Sequence, residues 1–231
     1  FREWLIANGA SDAIRDLQLA PELRALYDLA FAYQPTPKGL EPNFAAGAAI
    51  RALIRIFATY KGAPLYLMQA GMGETVMAPL YEVLSARGVH FKFFRKVRRL
   101  QLSEDRKWVA RIHLDVQAQV KDGASYDPLY TVKGARCWPS EPFWEQLERG
   151  AEMKAAGVNF ESHWCQWPAA GPEVLELGTH FDKVILGINA GAFQRLNDAD
   201  GSICDELIEA NEPFRLMTQQ LGLIPTFGVQ L

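Results

Sequence analysis

The sequence predicts an α+β fold, a helical N-terminal region followed by a mixed or antiparallel sheet with packed helices. Three observations predict it. Apolar side chains return at three- and four-residue steps over residues 1–61. Aromatic and β-branched residues in partial alternation fill 89–120. A short apolar run, FDKVILGIN, lies in the last quarter of the chain with no charge after Lys183. Four segments follow: a helical region 1–63; a glycine turn, helix and β-meander over 64–120; an irregular Pro- and Trp-rich stretch over 121–180; and a buried strand, helix and return strand over 181–231.

In the first segment Leu17, Leu19, Leu23, Leu26, Leu29 and Ala30 set the helical period. Pro21 suits a first helical turn, because the N–H it lacks has no intrahelical partner there. Gln34 to Asn43, with three prolines and a glycine, is predicted as a loop. Ala45, Ala49, Ala52, Leu53, Ile56 and Phe57 then form one stripe of a second helix. The run LYLMQA reads as a strand ending at Gly71-Met72-Gly73, and Glu74 to Ala86 as a helix closed by Arg87-Gly88. Two strands follow around the turn SEDRK, and the mixed parity of Val109, Ile112, Leu114 and Val116 predicts a bulge or two-sided burial. A helix is predicted from Pro142 to Ala156 and another from Cys204 to Leu221, with a kink or break at Pro213.

Composition narrows the function classes. At 231 residues and 49% hydrophobic the chain can bury a real core, and 24 basic against 27 acidic side chains give no net field to gather nucleic acid. The basic run Arg95, Lys96, Arg98, Arg99 is followed at once by Glu104 and Asp105 and reads as a solvated strand face. Three scattered cysteines, Cys137, Cys165 and Cys204, suit a reducing, cytoplasmic setting better than a disulfide framework. No apolar run approaches the roughly 20 residues of a membrane-spanning helix. The absence of an initiator Met and the half-formed strand IPTFGVQL at the other end predict a fragment of a longer chain.

The turn Gly71-Met72-Gly73-Glu74 between an apolar run and a helix invites a dinucleotide-binding reading. Val76 replaces the third glycine of that fingerprint, Glu74 puts a negative charge at the phosphate position, and no acidic residue closes the strand HFKFFRKV. A tight turn with an acidic residue at a helix N-terminus accounts for the same residues.

Three stretches carry a family resemblance. The run AGMGETVMAPLYEVLSARGVHFKFFRKVRRLQL resembles the segment of FAD-dependent flavin amine oxidases, protoporphyrinogen oxidases and phytoene desaturases in which a glycine-rich turn starts a helix that ends near an Arg-Gly pair. In that family the next strand delivers a valine whose backbone meets the adenine end of FAD. Val97 matches it, while a core strand valine is the alternative. FDKVILGINAGAFQRL resembles the family's strand and turn near the flavin, with Phe181-Asp182 for the preceding pair and Gly187, Ile188 and Asn189 toward the cofactor. PFRLMTQQLGLIPTFGVQL is similar to the segment returning to the sheet below the flavin ring. The resemblance implies part of an oxidoreductase that oxidises or desaturates an organic substrate, apolar or an amine, by hydride transfer to flavin. The family's Gly-rich βαβ unit, which holds the pyrophosphate, has no counterpart in these residues, so weak or absent FAD binding is expected of this chain alone.

Trp138, Phe143, Trp144, Phe160, Trp164 and Trp167 suit an apolar substrate cavity or a core between irregular loops, and Trp138, Trp144, Trp164 and Trp167 are the substrate-binding candidates. The histidines His90, His113, His163 and His180 match none of the paired zinc spacings, so no metal is predicted. No serine sits in a nucleophile-elbow frame, and no catalytic residue is singled out. Peripheral membrane contact is a further option that the resemblance implies, since desaturase-like enzymes fetch apolar substrates from membranes, and the rival reading is a non-catalytic interaction or lipid-binding module working through the Trp-rich stretch.

Overall fold

The computed structural model describes residues 1–63, 66–162, 164–193 and 201–221. Backbone contacts divide the chain into two compact units, residues 1–66 with 219–231, and residues 67–218. It contains helices and antiparallel sheets together, an α+β arrangement.

The first unit holds α1 (Arg2–Ala7), α2 (Pro21–Leu29), the hairpin β1 (Tyr33–Thr36) and β2 (Gly39–Pro42), and α3 (Ala46–Ile54). Pro21 opens α2 as its first helical residue. The stretch expected to be a loop is this hairpin, with Tyr33 opposite Pro42 and Thr36 opposite Gly39. Pro35 and Pro42 are tolerated because the Asn43 amide bonds to Ala32 O, so by alternation both prolines fall in non-hydrogen-bonded pairs, where a missing N–H breaks no ladder bond. The core of the unit is Leu17, Tyr27 and Ala32, packed by Phe1, Leu23, Tyr33 and Phe44. Tyr27 is nearly inaccessible and its hydroxyl accepts the Arg2 amide at 3.0 Å. The leucine period only half predicts this, since Leu19 and Leu29 are exposed. On α3, Ala49 is buried while Ile56 and Phe57, in the π-helical turn Arg55–Thr59, are exposed.

The second unit begins with a π-helical turn, Gly73–Met77, that runs into α4 (Ala78–Ala86) and stops at Gly88 in the left-handed region. Residues 66–70 form no strand, and Tyr66 and Leu67 are exposed, which corrects the reading of LYLMQA. Next come β3 (Arg95–Leu102), β4 (Val109–Val116), the small hairpin β5 (Tyr130–Val132) and β6 (Ala135–Cys137), α5 (Gly150–Ala155) and β7 (Gly171–Glu176). The main sheet has the order β3-β4-β7, all antiparallel. Its pairing shifts between Val97 and Arg99 and between Gln101 and Leu102, the irregularity the mixed parity predicted. Leu100, Leu102, Leu114 and Val116 are buried on it.

β5, β6 and β7 all fall in the stretch expected to be irregular. Their strands are three to six residues long, too short to leave a period. The helix expected from Pro142 to Ala156 is a 3-10 turn, Trp144–Gln146, followed by α5. FDKVILGIN is neither a strand nor buried, for Ile185 is 95% exposed. At the C-terminal side α6 (Asp205–Ala210) and α7 (Glu212–Gln220) break at Asn211, and Pro213 lies in the first turn of α7. The expected return strand lies outside the described residues.

The step from the 3-10 turn to α5 depends on Gly150. A Cβ there would lie 1.7 Å from the Trp144 carbonyl oxygen. Gly150→Ala is therefore expected to lower unfolding stability by about 2–4 kcal/mol in urea titrations. Gly171→Ala, with nothing within 4 Å of its added Cβ, is expected to change stability by less than about 1 kcal/mol.

Candidate functional site

Two regions of the second unit gather the residues singled out in the sequence. The first is the outer edge of β3. Gln117 donates its amide to the Phe94 carbonyl at 2.9 Å, which fixes that pair as hydrogen-bonded. Antiparallel pairs alternate, so Lys96 turns its backbone groups toward β4 and Val97, opposite Leu114, turns its amide and carbonyl away. The Val97 side chain shares a sheet face with Leu114. Its backbone faces the edge.

After the extra residue at Arg98, the same edge continues at Leu100 and Leu102. The Leu100 amide donates to Ile203 O at 2.9 Å and the Leu102 amide to Glu206 Oε2 at 2.8 Å. Arg99 pairs with the other Glu206 oxygen. Burial pushes the Glu206 pKa up, but the Leu102 amide and the Arg99 guanidinium outweigh it and the net shift is down. Ser202, beside Ile203, donates its hydroxyl to Phe193 O at 2.9 Å, at the end of the 3-10 turn Ala190–Phe193. That turn directly follows Gly187, Ile188 and Asn189. The strand edge that carries Val97 is thus linked through Leu100, Ile203 and Ser202 to Phe193, four residues beyond Asn189.

The second region is a cavity of about 600 Å³ at the entry to β3. Phe94 has φ 56°, a left-handed conformation unusual for an aromatic residue. Successive strand side chains point to opposite faces, and this turn breaks the alternation so that Phe93 and Phe94 both line the cavity. Tyr126, Trp138, Trp144 and Phe160 supply further aromatic surface. The Phe94 ring lies 4.9 Å from Tyr126 and 5.7 Å from Phe160, and Phe93 5.2 Å from Tyr126, all edge-on. The Tyr126 hydroxyl accepts the Phe143 amide at 3.0 Å, and Trp144 Nε1 donates to Glu141 Oε2 at 3.2 Å. Burial pushes the Tyr126 pKa up, so its phenol stays protonated.

Trp138 and Trp144 therefore line this cavity, while Trp164 and Trp167 line a neighbouring hollow of about 500 Å³. Gly157, Val158 and Asn159 form a wall common to both. Trp167 also packs on the core cluster of Ala118, Tyr126, Trp144, Leu147 and Met153, and the Arg149 guanidinium lies 4.8 Å from its ring centre. Trp164 is 74% exposed. Sequence reasoning missed Phe93, Phe94, Tyr126 and Glu141 as cavity residues. The three aromatics belong to a strand entry and a loop, and only the backbone turn at Phe94 brings them together.

At the glycine turn the Glu74 carboxylate folds back over Gly71, where an added Cβ would lie 2.5 Å from its Oε2. The Glu74 and Thr75 amides and the Thr75 hydroxyl all bond to Gly71 O. Among the described residues no group of three or more His, Cys, Asp or Glu side chains is placed to hold a metal, and His163 lies outside them. Cys204 is buried, and burial followed by the Asp205 carboxylate raises its thiol to about 11, which makes it a packing group. No helix among the described residues is long and apolar enough to cross a membrane. No protein family, no curated protein and no solved structure matches the chain.

Glu206 clamps α6 to β3, and the sign of its shift sets a pH dependence. Its folded pKa lies below the unfolded value, so its contribution is present above the unfolded pKa, near 4.3 for a glutamate, and is lost as pH falls through the folded one. Glu206→Gln is expected to be less stable than the wild type at pH 7. The gap should shrink steadily between about pH 5 and pH 3 in denaturant titrations.

Proposed function

We propose that the chain is the interior of an FAD-dependent oxidoreductase of the flavin amine oxidase and phytoene desaturase type. Within such an enzyme the outer edge of β3 meets the adenine end of the coenzyme, and Gly187, Ile188 and Asn189 lie toward the flavin. The observation that carries the reading is the orientation of Val97: its amide and carbonyl face away from β4 on an edge strand. A donor and an acceptor on one residue match the edge of an adenine ring, and backbone recognition needs no special side chain. The link from this edge to Phe193, four residues beyond Asn189, supports the second contact.

When bound, the coenzyme supplies the hydride acceptor. What the chain's own residues contribute is orientation at two points along one edge. The organic substrate in this reading is apolar or an amine, and the setting is cytoplasmic. Three residues of extended strand separate Phe94 from Val97, about 10 Å, so the tryptophan-lined cavity lies by the adenine end. Trp138 and Trp144 are better read as walls of a ligand cavity there than as contacts to a group reacting at the flavin.

A second reading, a non-catalytic interaction or lipid-binding module, is favoured by the exposure of Trp164. Vesicles of anionic phospholipid that blue-shift tryptophan emission in the wild type and not in Trp164→Phe would support it.

Flavin fluorescence quenching tests the main reading. Titrated with FAD, the 231-residue chain is expected to bind weakly or not at all, and a polypeptide from the extended reading frame firmly. In that longer protein Val97→Pro removes one outward N–H without breaking the ladder and is expected to weaken FAD by about three- to tenfold. Val97→Ala should bind as the wild type does. Equal binding by all three would remove Val97 from the coenzyme site.

A further inference from the structure

The C-terminal end of α3, in the first unit, carries large apolar side chains into solvent. The helix is held by Ala49, which is buried, and by the half-buried Ile50 and Leu53. From Ile54 to Ala63 every residue is exposed, through the π-helical turn Arg55–Thr59 and past it. Phe57 is 81% exposed, and Ile54, Ile56 and Tyr60 are each open to about half. A surface helix ordinarily turns polar side chains to water, so a helix end with apolar groups on every side lacks a surrounding that removes them from it.

The charges among these residues have one sign. No acidic residue occurs from Pro42 to Gly73, whereas Arg51, Arg55 and Lys61 all lie in that stretch. Other arginines of the same unit are neutralised, Arg2 and Arg15 by Glu3 and Arg24 by Asp28. Arg51, Arg55 and Lys61 meet no carboxylate among the described residues. Arg51 and Arg55 stand four residues apart, on one side of the helix, where like charges are destabilising unless an anionic surface faces them. Inside the tip Thr59 Oγ1 donates to Arg55 O at 3.3 Å, so a carbonyl at the helix end is satisfied without water.

We propose that this tip is a contact for an anionic lipid surface, with Ile54, Phe57 and Tyr60 entering the headgroup and acyl boundary and Arg51, Arg55 and Lys61 meeting the headgroups. Ile54 to Tyr60 covers about 9 Å of helix, within the roughly 5–10 Å to which interfacial helices bury their apolar side. A protein groove would cover one side of the tip and leave the rest in water, while a lipid interface closes around it. Aromatic side chains at the boundary and cations reaching back to the headgroups are the arrangement that interface favours. The contact rests on exposure and charge in residues 46–61; neither the flavin reading nor Trp164 enters it.

The test is cosedimentation of the 231-residue chain with phosphatidylcholine vesicles, neutral or containing about one-third phosphatidylserine. Binding is expected on the anionic vesicles and to be about tenfold or more weaker on the neutral ones and in about 0.5 M salt. Phe57→Ser should weaken it about tenfold and the double variant Arg51→Gln/Arg55→Gln about twentyfold, each cation contributing roughly fivefold. All three side chains are exposed, so the urea midpoint should stay at the wild-type value, and Trp164→Phe should bind as the wild type does. No binding to anionic vesicles, equal binding to both kinds, or wild-type binding by the Phe57 and arginine variants would overturn the assignment. Loss of lipid only in Trp164→Phe would also overturn it and move the contact to the tryptophan-rich stretch. A dimer in sedimentation equilibrium that Phe57→Ser dissolves, without vesicle binding, would make the tip a protein contact instead. Vesicle binding by a longer protein that takes up no FAD would leave the tip standing and remove the coenzyme reading.

Discussion

The geometry of the second unit depends on one extra residue in β3. In an unbulged strand Val97 and Leu100 would point to opposite faces, because side chains alternate with a period of two. Arg98 is inserted between Val97 and Arg99 against a single partner step on β4, and the insertion brings Val97, Leu100 and Leu102 onto one face. Two consequences follow together. The apolar face is completed opposite Ile112 and Leu114, and the Leu100 amide turns outward to Ile203. Arg98 and Arg99 stay at the surface, where Asp115 and Glu206 meet them. The bulge thus builds the core and sets which backbone groups reach the outer edge.

A second irregularity, at Phe94 immediately before β3, shapes the cavity. A left-handed backbone at a bulky residue is unfavourable by about 1–2 kcal/mol. Phe94 offsets it by edge-on contacts to Tyr126 and Phe160, each worth about 0.5–1.5 kcal/mol beyond area burial, and by accepting the Gln117 amide. The contacts are at least as large as the strain, and they exist only because the strain turns the ring inward. Conformation and packing hold each other in place, so the wall they form is built before any ligand arrives.

Where the chain repeats a period against a neighbour, its fold is legible from residues alone. The helix closed at Gly88, the β3–β4 hairpin with its broken parity, and the break before Pro213 all follow from period and turn chemistry. Period misleads where an apolar run has no covering element. FDKVILGIN has the composition of a buried strand, yet Ile185 is open to solvent and residues 181–189 take no strand form. The hairpin at Tyr33–Pro42 is the converse case, since prolines argue against a central strand and say nothing against a ribbon of two edges. The candidate site divides in the same way. Tryptophans announce a concave aromatic surface, but its partners Phe93, Phe94 and Tyr126 come from segments whose meeting depends on one φ angle.

That division has a physical root in how the two regions recognise anything. The outer edge of β3 would act through an amide and a carbonyl, groups that every residue except proline carries, so residue type at position 97 holds almost no information and only strand parity reveals the contact. The cavity is walled by side chains, and there residue type is informative while position is not, because rings from separate segments must be brought together by the chain between them. Val97 on a strand that paired Arg98 regularly would still be a valine, but the edge that continues from it would lose Leu100 to β4. Tyr126 without the Phe143 amide would still be a tyrosine, but its buried oxygen would lose the donor that ties it to the 141–144 turn. In both regions the chemistry is set by a backbone feature, the bulge in one and the 141–144 turn in the other, and the side chains act within the orientation that feature imposes.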